Sequence, residues 1–467
     1  MSNRAAAVEQ SLAHAFATAG KSLHVVGGPV RDELLGTATN DYDFTTNAEP
    51  NEIRQLIRSA GADTIYAMGE RFGTIGGMFG DTRVEITTYR SENYTPGSRK
   101  PRVAFDTTLE GDLARRDFTI NAMAQPAGGG ELIDPFGGQA DLAAKIIRAV
   151  GDPDERFSED PLRLMRAVRF AAQLGFGIEE NTLAAITRNA DKLAAISMER
   201  ITQEFTKTLL AEHPGRFVRA LADLGLLQHF VPEFLDLRDP HRAVDPSPFG
   251  RRPRYKDIFE HTLLVLDRTP RVLNVRLGAL LHDIGKPKTM SLEDEEVHFY
   301  GHEAIGERMA RKILTRLRLD RDTVERVCLI ISLSGRINTY EGDWTDGAVR
   351  RVVREAGDTV DELLMLSHAD VTSRREERVR AAERRVDDLR ERIEQLRAEE
   401  DIARIRPPLD GNDLMEMFGR APGPWIRPIK ERLLTMVLDG ELGRDDRERA
   451  AEIARAMMAE MELAAAR

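Results

Sequence analysis

The hydrophobic pattern of this chain changes once along its length, and that change limits the folds available to it. Up to about residue 150, short β-rich runs alternate with glycine-rich turns and helical stretches. The runs are Leu23–Val26, Thr74–Phe79 and Arg83–Tyr89. From Asp160 to about Leu227, apolar residues recur at helical spacing instead. The sequence therefore predicts an α+β fold, with a mixed head over residues 1–150 and helical regions behind it.

Three helical regions are predicted after the head. Residues 151–231 form a neck, and the proline-rich segment that follows marks a boundary, because proline disfavours helix at its own position and at the preceding residue. Residues 255–374 carry a group of histidines, and residues 375–467 form a charged C-terminal region. That last region contains a heptad pattern that predicts a helical hairpin or arm. Its apolar positions are Val379, Ala382, Val386, Leu389, Ile393 and Leu396.

The composition excludes several classes of protein. With 467 residues, 41% hydrophobic and 31% charged, the chain is globular rather than disordered or membrane-embedded. The net charge of −11 means that any nucleic-acid contact must come from local arginine clusters. Cys328 is the single cysteine, so an intramolecular disulfide and a cysteine-based zinc site are excluded. Without a signal-peptide core or a membrane span, we expect a cytoplasmic protein.

Three acidic residues of the head stand where strands are predicted. Asp41 and Asp43 are two apart, so on a strand their carboxylates point to the same face. Glu85 lies between apolar Val84 and Ile86 and projects from the side opposite the core. Oxygen ligands suit Mg²⁺, and two such ions stabilise the attacking and leaving oxygens of an in-line displacement. The three acids are therefore candidate catalytic residues and candidate ligands of paired Mg²⁺ ions.

A glycine pair precedes these acids. Gly27 and Gly28 stand between a predicted strand and a helix, where backbone amides can cradle phosphate oxygens. Each feature has a structural alternative, since glycine serves turns and isolated aspartates cap them. The ordered set of Gly-Gly, Asp-x-Asp and Glu favours phosphoryl chemistry over those separate roles.

These segments, taken with those that follow, resemble one family. GGPVRD, NDYDF, VEITTYR, DLARRDFTINAMA and DPFGG follow one another as in the class II tRNA nucleotidyltransferases, the CCA-adding enzymes, and in their relatives the bacterial poly(A) polymerases. The resemblance covers about residues 20–230. It implies a polymerase-β-like head, two-metal chemistry by Asp41 and Asp43, and Glu85 beside the primer 3′-hydroxyl.

The resemblance also implies a nucleotide site. In the family, the equivalents of Arg116 and Asp117 contact the ribose, residues 90–105 form a flexible loop needed for the final A, and residues 134–138 form a hinge. The segment 197–201, SMERI, resembles the family's closing motif, for which we expect a structural role. The candidate nucleotide-binding residues are Gly27, Gly28, Arg31, Arg116, Asp117, Asn121, Asp160, Arg163, Arg166 and Arg169.

Asp160 and Arg163 are candidates for choosing the base. We expect Ser158 to cap a helix on which the two charged residues, three apart, share a face. A carboxylate accepts from the exocyclic amine of cytosine or adenine, and a guanidinium donates to the neighbouring ring acceptor, whereas uracil and guanine present a carbonyl. A structural aspartate–arginine pair is the alternative. The pair matches the family's EDxxR motif, which implies selection of CTP and ATP without a nucleic-acid template.

The histidine region resembles the HD superfamily of metal-dependent phosphohydrolases. The residues that match its four metal ligands, in order, are His261, His282, Asp283 and Asp370. His302 is a candidate ligand for a second metal, but the helix over residues 327–334 has no histidine, which argues against a binuclear hydrolytic site. A helical domain with buried histidines is the structural alternative.

The leading hypothesis is an enzyme that adds C, C and A to the 3′ end of tRNA from CTP and ATP, with release of pyrophosphate. We expect Mg²⁺ in the head, a divalent metal in the HD region, tRNA, CTP and ATP as partners, and no membrane. The alternatives are a poly(A) polymerase, an enzyme that adds only A or only CC, an HD-type metal phosphohydrolase, and a non-catalytic RNA-binding scaffold.

Overall fold

The computed structural model describes residues 3–37, 41–66, 73–93, 102–104, 108–239, 257–293, 296–371, 375–399 and 405–465. The chain forms two compact units, Met1–Pro232 and Glu233–Arg467. The proline-rich segment over residues 240–256 lies outside the described residues, as does most of the loop expected over residues 90–105. The division into four domains stays a prediction.

A mixed sheet organises the head of the first unit. Its neighbouring strands, in order, are β3, β4, β5, β2, β1 and β8; β2 and β5 run parallel, and the other neighbours are antiparallel. The strands of this unit are β1 (Leu23–Val26), β2 (Asp41–Thr46), β3 (Thr64–Tyr66), β4 (Thr74–Phe79), β5 (Thr82–Thr88), β6 (Ser91–Asn93), β7 (Arg102–Ala104), β8 (Ala124–Pro126), β9 (Ile146–Ile147) and β10 (Gly177–Ile178). The three predicted runs are confirmed, the last displaced by one residue.

Helices cover one face of this sheet and continue into the neck. Phe16 of α1 and Ile57 of α3 join Phe44, Ile75 and Ile86 of the strands in one buried cluster. Because side chains alternate along a strand, Asp41 and Asp43 of β2 and Glu85 of β5 lie on the other face. The helices are α1 (Asn3–Thr18), α2 (Gly28–Leu34), α3 (Pro50–Ser59), α4 (Leu109–Ala114), α5 (Gly138–Ala144), α6 (Pro153–Glu159), α7 (Leu162–Leu174), α8 (Glu180–Asn189), α9 (Met198–Leu209) and α10 (Pro214–Asp223).

The central helix of the neck is α7, which packs against α9 and α10 and is buried around most of its circumference. The prediction that Ser158 caps this helix is wrong. Ser158 lies in the preceding helix α6, which forms separately because Asp152 caps its first turn and Pro153 follows. Pro161 occupies the N-cap position of α7 instead.

The described part of the second unit is helical apart from one short hairpin, and α12, α15 and α17 pack together in it. Its helices are α11 (Ile258–Arg268), α12 (Leu273–Leu281), α13 (Lys286–Thr289), α14 (His302–Arg316), α15 (Arg321–Asn338), α16 (Asp346–Ala356), α17 (Val360–Ala369), α18 (Glu376–Glu399), α19 (Gly411–Phe418), α20 (Ile426–Leu438) and α21 (Arg447–Ala465). The hairpin strands are β11 (Ser291–Glu293) and β12 (Glu296–His298). The predicted α+β head followed by helical regions is confirmed. Among the described helices, none is long and apolar enough to cross a membrane.

The heptad pattern of α18 serves packing within the second unit. Val386, Leu389, Ile393 and Leu396 are buried, and the helix contacts α16 and α17. The apolar seam of the segment predicted as a helical hairpin or arm therefore has a partner inside the second unit.

Truncating that seam should destabilise the second unit. Leu389→Ala removes a fully buried side chain and should lower the free energy of unfolding by about 2–5 kcal/mol. Urea-induced unfolding followed by circular dichroism measures this change. Arg384→Ala, on the exposed side of the same helix, is the control and should shift it by less than about 0.5 kcal/mol. Equal curves for the two variants would contradict the packing.

Candidate active site and candidate metal centre

Strands β2 and β5 bring the three acids of the head onto one face of the sheet. In their parallel pairing, Asp43 lies opposite Glu85 and Asp41 lies opposite Arg83. The intervening Tyr42 points into the core, and the side chains of Asp41 and Asp43 are exposed. The expectation that three carboxylates gather on an open face therefore agrees with the fold, while their catalytic role stays a prediction.

The charges on this face repel one another. Desolvation by the surrounding protein raises the pKa of the Asp43 carboxyl, Arg116 lowers it, and Glu85 and Asp41 raise it, so that the pKa lies above its ordinary value. Arg83 forms an ion pair with Glu85. Three carboxylates are the donor set that a hard divalent cation takes, and such a cation would relieve the repulsion. The residues present therefore fit a metal site.

A glycine allows an arginine to approach the same face. Gly27 has φ +76°, and a Cβ there would lie 3.0 Å from Nη1 of Arg116. A side chain at this position would meet both a strained backbone and the guanidinium. Gly28 begins α2, whose Arg31 points inward, with Nη1 donating to Oδ1 of Asn121 at 2.8 Å.

Asp117 is the centre of a buried polar network. Its Oδ1 accepts from the Phe118 N–H at 2.9 Å and from Nδ2 of Asn121 at 3.2 Å, and its Oδ2 accepts from Nε of Arg166 at 2.7 Å. Burial alone would raise the pKa of Asp117, but Arg166 and Asn121 outweigh it and hold the pKa at about 2. Through Asn121 and Arg166, this carboxylate joins α2 of the head to α7 of the neck.

Arg116 and Asp117, the two residues expected at the ribose, differ in how much hydrogen-bonding capacity they have left for a ligand. Both oxygens of Asp117 already accept hydrogen bonds inside the protein. Arg116 has a buried Nε without a hydrogen-bond partner among the described residues, and Nη1 makes a long 3.5 Å contact with the Asn121 carbonyl. The geometry therefore favours Arg116 as the ligand-facing member and Asp117 as the residue that holds the site together.

Sequence reasoning missed Asp112, which is fully buried. Its Oδ1 accepts from Nη2 of Arg115 at 2.7 Å, and its Oδ2 accepts from the Thr45 hydroxyl at 3.1 Å and lies 3.5 Å from Nη2 of Arg116. Thr45 is two residues beyond Asp43 on β2, so Asp112 ties both arginines to the acidic strand. The sequence did offer a signal for this contact, because Asp112 stands three residues before Arg115 and four before Arg116, the spacings at which side chains meet on a helix.

Asp160 and Arg163 do not share a partner. Nη2 of Arg163 donates to the Arg115 carbonyl at 2.7 Å, and its Nη1 donates to Glu159 at 2.7 Å. Asp160 instead accepts from Arg200 of α9. The expectation that the two share a face of one helix is therefore wrong, because Asp160 lies before the helix in extended backbone.

Arg166 and Arg169 are held inside the first unit. Both face Glu204, at 3.8 Å from Arg166 and in a closer ion pair from Arg169. Nη1 of Arg169 also donates to Gln173 at 2.7 Å, and its guanidinium lies 3.9 Å from the centre of the Phe170 ring. Glu204 was not found from the sequence, because its partners lie on another helix.

The HD region brings together a second set of side chains that could coordinate a metal ion. Ligand atoms of His261, His282 and Asp283 lie within 4.8 Å of one another and are buried, and Asp370 Oδ1 is 3.0 Å from Nε2 of His261. Nδ1 of His282 contacts the Ala279 carbonyl at 2.8 Å, while its Nε2 is buried without a hydrogen-bond partner in the described part of the chain. A metal ion would satisfy that nitrogen, so the residues fit one.

The charged groups of the same cluster shift one another's pKa values. Burial opposes charge on each group, but Asp283 and Asp370 outweigh it and raise the pKa of His282 above its ordinary value, while His282 keeps the pKa of both acids low. His302, the candidate for a second metal, has Nε2 3.7 Å from Oδ1 of Asp283. Its role stays a prediction.

Removing the charge at Asp117 should destabilise the first unit in a pH-dependent way. Asp117→Asn leaves Arg166 without its buried partner, which should cost about 3 kcal/mol at pH 7. The folded pKa of Asp117 is about 2, below the unfolded value, so its contribution is present above about pH 4 and is lost as the pH falls toward 2.

Denaturant unfolding of wild type and variant at pH 5 and pH 3 measures this effect. The difference between them should shrink by about 1 kcal/mol at the lower pH. Glu180→Gln, at an exposed position of the same unit, should show no such change. A gap that stays constant from pH 5 to pH 3 would refute the low pKa.

Three family models match the chain in order. They are described as the Poly A polymerase head domain over residues 23–148, the probable RNA and SrmB-binding site of polymerase A over residues 175–237, and the HD domain over residues 258–375. Together they account for the head, part of the neck and the histidine region.

Curated relatives match long stretches of this chain. A CCA-adding enzyme of Geobacillus sp. (strain WCH70) is 32% identical over 91% of this chain and 90% of its own length. The enzyme of that name from Bacillus velezensis is 38% identical over 55% of this chain and 64% of its own length, so that match spans less than two thirds of that relative. A multifunctional CCA protein of Laribacter hongkongensis is 35% identical over 75% of this chain and 85% of its own length.

The fold also matches a solved structure over nearly the whole chain. The crystal structure of the Bacillus stearothermophilus CCA-adding enzyme in complex with CTP aligns with a TM-score of 0.69 and 27% identity, covering 98% of each chain. The resemblance inferred from the ordered motifs is thus confirmed across the head, the neck and the HD region, and the chain belongs to the family of CCA-adding enzymes.

Proposed function

We propose that this chain adds C, C and A, one nucleotide at a time, to the 3′ end of tRNA from CTP and ATP and releases pyrophosphate. The observation that carries the proposal is the parallel pairing of β2 and β5, which sets Asp43 opposite Glu85 with Asp41 on the same open face. This substrate also supports a place of action in the cytoplasm. The four-domain division proposed from the sequence assigns the chemistry to the head and base choice to the neck.

The proposed metal in the head is Mg²⁺, held by Asp41, Asp43 and Glu85. When bound, it would supply the positive charge that stabilises the attacking and leaving oxygens of nucleotidyl transfer. The residues of the chain do the rest: Arg116 approaches the same face over Gly27, and Asp112 fixes that arginine beside β2. Arg116 is therefore proposed to bind the nucleotide, and Asp112 and Asp117 to position it.

Base choice is proposed to fall to Asp160. An ionised carboxylate only accepts hydrogen bonds, so it accepts the amino group of cytosine or adenine and opposes the carbonyl of uracil or guanine. Because Arg163 already donates to the Arg115 carbonyl and to Glu159, we propose that it positions residues 115–117, the RRD segment, in addition to any contact with the base. Arg166 and Arg169, which belong to α7, are proposed to hold that helix in place through Asp117 and Glu204.

A second function is proposed for the HD region, on the observation that His261, His282, Asp283 and Asp370 converge there and that Nε2 of His282 is buried without a hydrogen bond among the described residues. His261, His282, Asp283 and Asp370 would hold one divalent metal there. Such an ion would supply a site for phosphoester hydrolysis. A poly(A) polymerase remains the rival for the head, and its activity would not depend on CTP.

Removing the head carboxylates should abolish nucleotide addition. Asp41→Ala and Asp43→Ala should each lower kcat/KM for CTP by at least about a thousandfold, because the proposed metal loses a ligand on the reacting side. The assay is gel analysis of a tRNA transcript ending before CCA, incubated with CTP, ATP or both. Asp81→Ala, in the exposed turn between β4 and β5, is the matched control and should retain activity. Wild-type extension that ignores CTP would overturn the leading function in favour of a poly(A) polymerase.

Removing a ligand of the HD region should abolish metal binding there. Wild-type protein should gain thermal stability on addition of Mn²⁺, and the gain should weaken as pH falls, because metal and proton compete for the imidazoles. In a background lacking Asp41 and Asp43, His282→Ala should lose the effect, whereas His298→Ala, which removes a ring stacked on Tyr300, should keep it. An equal Mn²⁺ response in both variants would contradict the site.

A further inference from the structure

We infer that Arg200 of α9 is a positioning residue for base choice, which fixes the direction in which the Asp160 carboxylate presents its acceptor oxygens. The inference rests on the proposed function, because Asp160 has a base to choose only if the chain adds nucleotides. It gives the SMERI segment a part in substrate selection, beyond the structural role expected from the sequence.

The contact between the two side chains has a forked geometry. Nη2 of Arg200 lies 2.8 Å from Oδ2 of Asp160, and Nη1 lies 3.3 Å from Oδ1. Since each guanidinium nitrogen faces a different oxygen, the fork fixes the plane of the carboxylate as well as its position. The backbone N–H of Leu162 also donates to Oδ1, at 3.2 Å, and adds to this constraint.

This arrangement leaves one direction for a ligand. An ionised carboxylate has about four lone-pair directions. Among the described residues, Oδ1 of Asp160 accepts from Arg200 and Leu162, and Oδ2 accepts from Arg200 alone. The Asp160 side chain keeps 23% of its surface exposed, so the remaining direction on Oδ2 is open to an exocyclic amine.

A fixed plane is what makes the carboxylate selective. A uracil or guanine carbonyl held against a fixed carboxylate leaves two acceptors facing each other, and neither is satisfied. A carboxylate that can rotate would turn away and let water bridge the two oxygens, so the penalty against the wrong base would fall. Arg163 cannot supply this constraint, because its guanidinium is engaged with Arg115 and Glu159.

The ion pair is suited to a test that separates positioning from folding. Arg200 has 48% of its side chain exposed, and pairs of that exposure contribute little to stability. Loss of Arg200 should therefore leave the fold intact. The chain offers a matched control in Arg188, whose exposed pair with Asp154 lies elsewhere in the neck.

The test compares wild type, Arg200→Ala, Arg200→Lys and Arg188→Ala. kcat and KM are measured for CTP and UTP on a transcript ending before CCA, and for ATP and GTP on a transcript ending in CC, with melting temperatures alongside. In Arg200→Ala the preference for CTP over UTP and for ATP over GTP should fall about tenfold. A factor of that size corresponds to the free energy of one charge-assisted hydrogen bond, which the variant loses. Arg200→Lys, a single donor without a fork, should recover only part of it, and Arg188→Ala should match wild type.

The outcomes separate the two proposals. Wild-type selectivity that persists in Arg200→Ala, or an equal fall in kcat for all four nucleotides, would overturn the positioning role while leaving nucleotide addition in place. Wild type that incorporates neither CTP nor ATP would overturn nucleotide addition, and the role of Arg200 with it.

Discussion

The first unit depends on one buried carboxylate. Asp117 accepts hydrogen bonds from its own segment, from Asn121 and from Arg166, and Asn121 in turn binds Arg31. Such a charge is costly to bury unless every lone pair is satisfied, so the network specifies one arrangement of α2 and α7. Because β2 packs against α2, and Asp160, the residue proposed to choose the base, immediately precedes α7, this network also constrains the distance between the acidic strand and Asp160.

The face that carries Asp41, Asp43 and Glu85 differs from this network, because its charges are only partly matched by partners of opposite sign. There, like charges are placed side by side and the pKa of Asp43 rises as a result. The protein holds this repulsion because Phe44 and Ile86, on the reverse of the same strands, are fully buried in the core. A firmly packed sheet thus presents a face that is unfavourable until a cation neutralises it, and Arg116 and Arg83 neutralise it only in part.

Local rules predicted much of this site, and tertiary pairing decided the rest. Alternation along β2 and β5 was enough to place Asp41, Asp43 and Glu85 on the solvent side, but the parallel pairing that sets Asp43 beside Glu85 is a long-range contact that no local pattern specifies. The spacing of Asp160 and Arg163 suggested a shared face. Pro161 breaks the backbone between two helices, so the two side chains find partners on α9 and in the RRD segment instead. Glu204 and Arg200 escaped notice for the same reason.

The hydrogen bond from Arg163 to the Arg115 carbonyl has a consequence for mutational studies of base recognition. A guanidinium that supports the main chain beside Arg116 cannot be deleted without loosening the neighbouring segment, which is proposed to face the ribose. A change in kcat or KM of an Arg163 variant would therefore have two causes, altered ribose binding and altered base selection. Only a substitution that preserves the donor to that carbonyl could tell them apart.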